Sequence, residues 1–365
     1  MSESRLFEPL KLGSIEVKNR IAMAPLTRYR AGDNHVILPM AAQYYGQRAS
    51  SPGTLLITEA TFISKQHGGY ANVPGIYNRE QIDAWKKITD EVHKNKSYIY
   101  CQLWALGRVA DKEFTEKSGI VVKSSSPTQL SDNLAVPKEM TQGDIDETIA
   151  TYAKAAENAI AAGFDGVEIH GANGYLVDQF IQDTCNKRTD KYGGSVENRS
   201  RFAIEVAQAV VKAVGADKTS IRLSPFSEFQ GMKMRDPLPQ FTDVIQRLNK
   251  LGLSYVHLVE ARISGNTDVE VFDSLDPLLQ HFDGPLLIAG GFRPDTAKAL
   301  VEEHRDRDIV VVFGRYFIST PDLVFRIRQG IELKPYNRKA FYNPKSEKGY
   351  IDYPFSEEFK AHANL

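Results

Sequence analysis

Short apolar runs rich in β-branched residues alternate along the chain with longer segments whose apolar positions recur at helical spacing. Eight such runs stand out: IAMAP at 21–25, TLLITEA at 54–60, SYIYCQLW at 97–104, GVEIH at 166–170, SIRLS at 220–224, YVHLVE at 255–260, LLIAG at 286–290 and IVVVFG at 309–314. Nearly continuous apolar runs suit parallel strands covered on both faces. Between them, residues 81–94, 142–162, 196–213, 239–251, 295–303 and 322–330 read as amphipathic helices. Several open on Asp, Thr or Ser with an acidic first turn, as at Thr141 and Asp144 and at Pro321 and Asp322.

Eight strand–helix units can close into a barrel, whereas an open doubly wound sheet usually carries a glycine-rich dinucleotide turn after its first strand. No G-x-G-x-x-G is present. The expected fold class is therefore α/β, a (β/α)8 TIM barrel, with residues 1–365 forming one domain. Two segments depart from a plain barrel. FEPLKLGSIEVKNR alternates as a short hairpin around Gly13 and is expected to cap the barrel floor. The long insertion after strand three, from Gly107 to Met140, reads as a loop over the opposite mouth, where function tends to sit.

Composition narrows the function classes. With 365 residues, 42% hydrophobic and 25% charged, the chain resembles an ordinary globular protein. Its formal net charge of −1, with no block of one sign, argues against nucleic acid or an anionic membrane as partner. No run approaches the roughly 18 apolar residues of a membrane span, and the N-terminal segment has no apolar run of signal-peptide length, so a cytoplasmic location is expected. Two cysteines, Cys101 and Cys185, are too few for a disulfide framework, and eight scattered histidines form no metal-ligand motif, so no metal is expected.

Active sites of such barrels form at the carboxyl ends of the strands. There the sequence places Pro25, Leu26 and Thr27, then Ala60, Gln102 and Trp104, then His170, Asn173 and Tyr175, then Arg222. Gly290, Gly291 and Phe292 follow strand seven, and Gly314 and Arg315 follow strand eight. Glycines after the last two strands, joined by an arginine, match the place where barrels hold a phosphate on backbone N–H groups. Any one of these glycines alone could simply permit a tight turn. His170 and Asn173, three apart on what would be one helical turn, could together grip one carbonyl oxygen as an oxyanion hole does. Tyr175 could donate a proton. Taken singly, His170 and Tyr175 could equally be satisfied core groups, and Gln102 and Arg222 could be structural partners of a carboxylate.

The segment from His170 to Tyr175, with YLVDQF at 175–180 and NKRTDKYGGSVENR at 186–199, resembles the old yellow enzyme family of ene-reductases, in its fungal form. The likeness continues in APLTRYRA at 24–31, YYGQRAS at 44–50, PGTLLITEAT at 52–61, CQLWALGR at 101–108, RLSPF at 222–226, IAGGF at 288–292, FGRYFISTPDL at 313–323 and YIDYPF at 350–355. The resemblance implies a tightly but non-covalently bound FMN. Pro25, Leu26, Thr27, Ala60, Gln102 and Arg222 would surround its ring, while Gly290, Gly291, Phe292, Gly314 and Arg315 would sit near its phosphate. Ala60 and Gly291 stand where other members carry Gly and Asn. Trp104, Phe341 and Tyr342 match positions that line the substrate cavity.

The activity so implied is that of an NADPH dehydrogenase working by a ping-pong mechanism. NADPH or NADH would reduce the flavin, and hydride would pass from N5 to the β carbon of an α,β-unsaturated aldehyde, ketone or related activated alkene. His170 and Asn173 would hold the substrate oxygen and Tyr175 would protonate the α carbon. A phenylalanine in place of Tyr175 is associated with isomerisation instead. Phenols would act as inhibitory ligands, and the protein would be a monomer or homodimer. YGGSVENR reads as scaffold that locks the loop after strand four. Three alternatives remain open: a flavin-free lyase or isomerase of a phosphorylated metabolite, an unsaturated-aldehyde reductase of fungal alkaloid metabolism, and a non-catalytic flavin- or phenol-binding protein.

Overall fold

Each of the eight apolar runs forms a strand in the computed structural model, which describes residues 4–261, 263–264, 267–268 and 273–363. The strands are β1 (Ile21–Met23), β2 (Leu55–Ile57), β3 (Tyr98–Trp104), β4 (Gly166–Gly171), β5 (Thr219–Leu223), β6 (Tyr255–Val259), β7 (Leu286–Ala289) and β8 (Ile309–Phe313). All pair in parallel with their chain neighbours, β8 pairs with β1, and the sheet closes on itself. The expected α/β barrel is the observed one.

Helices α1 (Met40–Arg48), α2 (Arg79–Lys94), α3 (Gln142–Ala161), α4 (Val196–Val214), α5 (Pro237–Asn249), α6 (Asp276–Leu279), α7 (Pro294–Glu303) and α8 (Leu323–Gln329) follow the strands in turn. The buried positions of α2, at Gln81, Trp85, Ile88 and Val92, show the 3.6-residue period that made it legible. Asn78 caps α2, Thr141 and Asp144 form a reciprocal capping box on α3, and Ser195 caps α4. Sequence periodicity missed α1 and α6. The first carries Gly46 in mid-helix and no side-chain cap, and the second has four residues. Asp322 does not cap α8 as expected. Its buried carboxylate accepts from Arg326 Nε at 2.8 Å and from Ser356 Oγ at 2.6 Å, tying α8 to the chain beyond it.

The N-terminal hairpin pairs Leu10–Leu12 with Ile15–Val17. Its inward residues Leu10, Leu12, Ile15 and Val17 pack with Ala22, Leu55, Leu287 and Val310 inside the barrel, so it closes the floor. Gly13 turns the hairpin at φ +56°, and a Cβ there would lie 1.9 Å from the Asp217 carbonyl oxygen. The insertion after β3 is more ordered than a loop. It holds a helix, Lys112–Ser118, capped by Asp111, and pairs Lys123–Ser124 with Lys138–Glu139. Leu130 and Ala135 of this insertion pack against the Trp104 cluster at the mouth. YGGSVENR is scaffold in the expected sense. Asn198 donates to the Gly193 carbonyl at 3.0 Å, and Arg199 donates to Gln240 of α5 at 2.8 Å. Both cysteines are buried, and burial pushes the Cys101 thiol up to about 12. No helix of the described residues is long and apolar enough to cross a membrane, and those residues contain no cluster of metal ligands.

Three buried arginines fasten the C-terminal strap to this frame. Arg28 donates through Nε to the Phe341 carbonyl at 2.9 Å and through Nη2 to that of Gly349 at 2.6 Å. Arg30 reaches the carbonyls of Ser346, Phe341 and Lys348 at 2.9, 3.0 and 3.0 Å. Arg48, stacked 3.8 Å from the Tyr44 ring centroid, donates to the carbonyls of Phe317 and Ile318 and, in the strap, to that of Tyr350 at 3.3 Å. Glu59 is the carboxyl that faces Arg28 and Arg30 there, and burial pushes it up to about 7 despite their opposing pull.

Truncating Arg28 would strand several buried carbonyls at once. Arg28→Met is expected to cost about 3 kcal/mol, read as a lowered urea midpoint at unchanged slope. Because Glu59 holds its proton more tightly folded than unfolded, the stability it contributes is present below about pH 4.5 and is lost as pH rises toward 7. Glu59→Gln should therefore gain stability relative to the parent between pH 5 and 8, and parallel denaturation curves at the two pH values check this.

Candidate active site

Closure brings the carboxyl ends of all eight strands to one rim, where a cavity of about 400 Å³ opens. That volume lies within the ordinary range for small-molecule sites. Every residue proposed from the sequence lines it: Pro25, Leu26 and Thr27 after β1, Ala60 after β2, Gln102 and Trp104 on β3, His170, Asn173 and Tyr175 from β4 onward, and Arg222 on β5. Gly290, Gly291 and Phe292 after β7, Gly314 and Arg315 after β8, and Phe341 and Tyr342 from the strap complete the set. Tyr29, Tyr70, Phe229 and Gln230 also line the wall and were not anticipated. Tyr29 lies within APLTRYRA but was not singled out there, while no motif marks Tyr70, Phe229 or Gln230, which enter through loops whose course only packing decides.

The strand register explains the convergence. His170 of β4 stands level with Arg222 of β5, and Arg222 with His257 of β6, so alternate side chains of three neighbouring strands enter the barrel together. Asn173 does not share a helical turn with His170, as its spacing suggested. His170 lies in β4, which ends at Gly171, and the chain then bends through Asn173 at φ +58° and Gly174 at φ +77°. The Asn173 backbone N–H is held by Ser224 Oγ at 2.7 Å, and Gly174 N–H by Asp178 at 2.8 Å. This left-handed bend carries Asn173 and Tyr175 back to the cavity that His170 faces.

Three rings form the wall around that point. His170 and Tyr175 lie 4.8 Å apart between centroids, Trp104 meets Tyr175 edge-on at 4.9 Å, and Trp104 stacks with His170 at 6.3 Å. Burial, together with the positive charge of Arg222 and the nearby His257, holds the His170 imidazole well below its ordinary pKa. It is therefore neutral at physiological pH and presents a hydrogen-bonding nitrogen rather than a cation. Burial raises the Tyr175 phenol above its ordinary value, so it keeps its proton at neutral pH.

The Arg222 guanidinium makes no hydrogen bond or ion pair with the described residues, and its Nε is buried. A half-buried guanidinium with no such bond of its own and an open cavity before it suits an anionic or electron-rich ligand. At the far side, Gly291 takes φ +66°, and Gly314 precedes the short helix Arg315–Ser319. A Cβ on Gly314 would meet Leu26 Cδ2 at 3.5 Å and Ala24 Cβ at 3.6 Å, ordinary contacts, so packing does not demand a glycine there. Gly290 differs, because a Cβ there would press 2.6 Å from the Glu260 carboxylate, and local packing alone accounts for it. The Arg222 guanidinium, the polar Gln102 and Thr27, and the corner of Gly291 and Gly314 beside Arg315 fit the ring and phosphate of an FMN.

A model of the NADH:flavin oxidoreductase / NADH oxidase family matches residues 5–334. The chain is similar to a chanoclavine-I aldehyde reductase of Penicillium roqueforti, 56% identical over 361 residues that cover 98% of each chain. It is 50% identical over 366 residues to an NADP-dependent oxidoreductase of Aspergillus flavus, with 97% of each chain covered. Among solved structures it is similar to an Old Yellow Enzyme from a Pichia species, at 40% identity and a TM-score of 0.90 over 97% of this chain and 94% of that one.

Proposed function

Because this chain belongs to the NADH:flavin oxidoreductase / NADH oxidase family, that of the old yellow enzymes, we propose that it is an ene-reductase acting on carbon–carbon double bonds conjugated to a carbonyl. FMN is its cofactor, and when bound it supplies the hydride-carrying chemistry. We assign NADPH as the electron donor, a choice supported by the NADP-dependent Aspergillus flavus relative. Thr27, Gln102 and Arg222 hold the polar edge of the ring, with Pro25, Leu26 and Ala60 beside it. Gly291, Gly314 and Arg315 hold the phosphate, with Gly290 and Phe292 shaping that turn.

The observation that carries this reading is the convergence of a neutral imidazole, an amide and a protonated phenol on one cavity that also holds an arginine making no hydrogen bond with the described residues. His170 and Asn173 bind the substrate's carbonyl oxygen and stabilise the negative charge that gathers on it during reduction. Donors fixed in advance toward such a charge contribute roughly 10²–10³ in rate each. Tyr175 holds its proton on Oη and delivers it to the α carbon. Trp104, Phe341 and Tyr342 enclose the apolar part of the substrate and keep water from the reacting atoms. Phenols bind at the same oxygen site.

The 56% identity to a chanoclavine-I aldehyde reductase supports a narrower reading, in which the natural substrate is an unsaturated aldehyde of fungal secondary metabolism. Anaerobic NADPH oxidation driven by 2-cyclohexenone tests the ene-reductase assignment, and a protein that binds phenols without such turnover would be a binding protein instead.

Tyr175→Phe is expected to slow the half-reaction with 2-cyclohexenone by about 10²-fold while leaving reduction of the holoenzyme by NADPH near its parent rate. Stopped-flow measurement of both halves checks this, and equal slowing of the two would remove the tyrosine from its role. His170→Ala combined with Asn173→Ala should weaken p-hydroxybenzaldehyde binding by about 30-fold or more. A spectral titration that finds parent-like affinity would contradict the shared oxygen site.

A further inference from the structure

One buried carboxylate lies inside the barrel beneath the cavity and takes no part in the mechanism above. Glu168, on β4, is fully buried. Its Oε1 accepts from Gln102 Nε2 at 2.7 Å, and its Oε2 accepts from Tyr255 Oη at 3.0 Å and His257 Nδ1 at 2.9 Å. The register builds this layer: Gln102 of β3 stands level with Glu168, while Arg222 stands level with His257. The apolar half of the barrel interior, from Ala22, Leu55, Leu287 and Val310, offers no such partner.

Two consequences follow for the cavity. A carboxylate accepts hydrogen bonds and donates none, so Gln102 must give it the amide NH2 and is left to present its carbonyl oxygen to the cavity. The carboxylate is also the counter-charge that acts on Arg222, which makes no hydrogen bond with the described residues. Burial opposes ionisation of Glu168, but His257, Arg222 and the hydrogen bonds outweigh it and hold the carboxyl below its ordinary value. Burial keeps His257 below its own ordinary value, Glu168 only partly restoring it, so the pair carries one net negative charge. The His257 Nε2 has no hydrogen-bond partner among the described residues, so none of them would hold that ring to its Nδ1–H tautomer once residue 168 ceased to require it.

We propose that Glu168 is a positioning residue for the flavin, fixing the Gln102 amide with its oxygen toward the cavity and offsetting the positive charge that Arg222 presents there. This rests on the reading that FMN occupies the cavity. Extra negative charge near a group that gains electrons makes it harder to reduce. Glu168 therefore keeps the bound flavin's potential below the value Arg222 alone would set.

Two variants separate charge from orientation. Glu168→Gln removes the charge yet can still accept from Gln102, with His257 moving its proton to Nε2 to match. Its FMN midpoint potential, measured by dye equilibration, is expected to rise while FMN content stays stoichiometric. Glu168→Asp keeps the charge but withdraws the carboxylate from Gln102, so the FMN dissociation constant should rise about tenfold with little change in potential. A parent-like potential in Glu168→Gln overturns the charge offset, and parent-like FMN affinity in Glu168→Asp overturns the orienting role. The aspartate variant carries the test alone if the glutamine variant does not fold. Failure of the parent protein to bind FMN would instead overturn the functional reading beneath this one.

Discussion

In a closed parallel barrel every strand ends at the same rim, so residues spread over most of the chain become neighbours once the sheet closes. Here that closure runs from β8 back to β1 and makes one wall from residues as distant as Pro25 and Arg315. The closure depends in turn on filling the interior. The hairpin seals the floor with Leu10, Leu12, Ile15 and Val17, and the strands on one side contribute aliphatic residues that meet it. The opposite side carries the polar layer of Gln102, Glu168, Arg222, Tyr255 and His257.

Placing charge inside a barrel costs several kcal/mol per ion unless partners replace the lost water. The molecule meets that cost in two ways. Beneath the cavity, Glu168 gathers three donors and the field of Arg222, which leaves the arginine itself turned to the cavity without a hydrogen bond. Behind the rim, Arg28, Arg30 and Arg48 are satisfied mainly by backbone carbonyls and tyrosine faces. Those carbonyls belong largely to the segment that carries Phe341 and Tyr342, so the same bonds that satisfy buried cations also set the cavity's outer wall.

Backbone conformation supplies the remaining constraint. Asn173 and Gln230, on loops after neighbouring strands, both adopt φ near +60°, a region that costs an ordinary residue about 1 kcal/mol or more. Each is pinned from outside: Asn173 by Ser224, and Gln230 by Arg108, whose Nη2 donates to its carbonyl at 3.0 Å. Arg108 also reaches Thr128 of the insertion after β3, so that insertion braces the loop carrying Gln230 as well as covering the mouth.

The eight strands, six of the eight barrel helices and the floor hairpin were legible in the chain because each rests on local periodicity or turn chemistry. The residues at the strand ends were legible for the same reason, once the barrel was inferred, and the family motif from His170 to Tyr175 sharpened their roles. What the chain alone did not disclose depends on partners brought from elsewhere. Asp322 has the look of a helix cap, yet Arg326 and Ser356 hold it. Asn173 has helical spacing from His170, yet Ser224 holds it in a left-handed bend. Glu168 reads as one polar position in an apolar run, and its role exists only because closure sets it between Gln102 and His257. Periodicity is a property of neighbours in sequence and survives without a fold, whereas the state of a buried charge is set by whichever distant groups the tertiary structure packs against it.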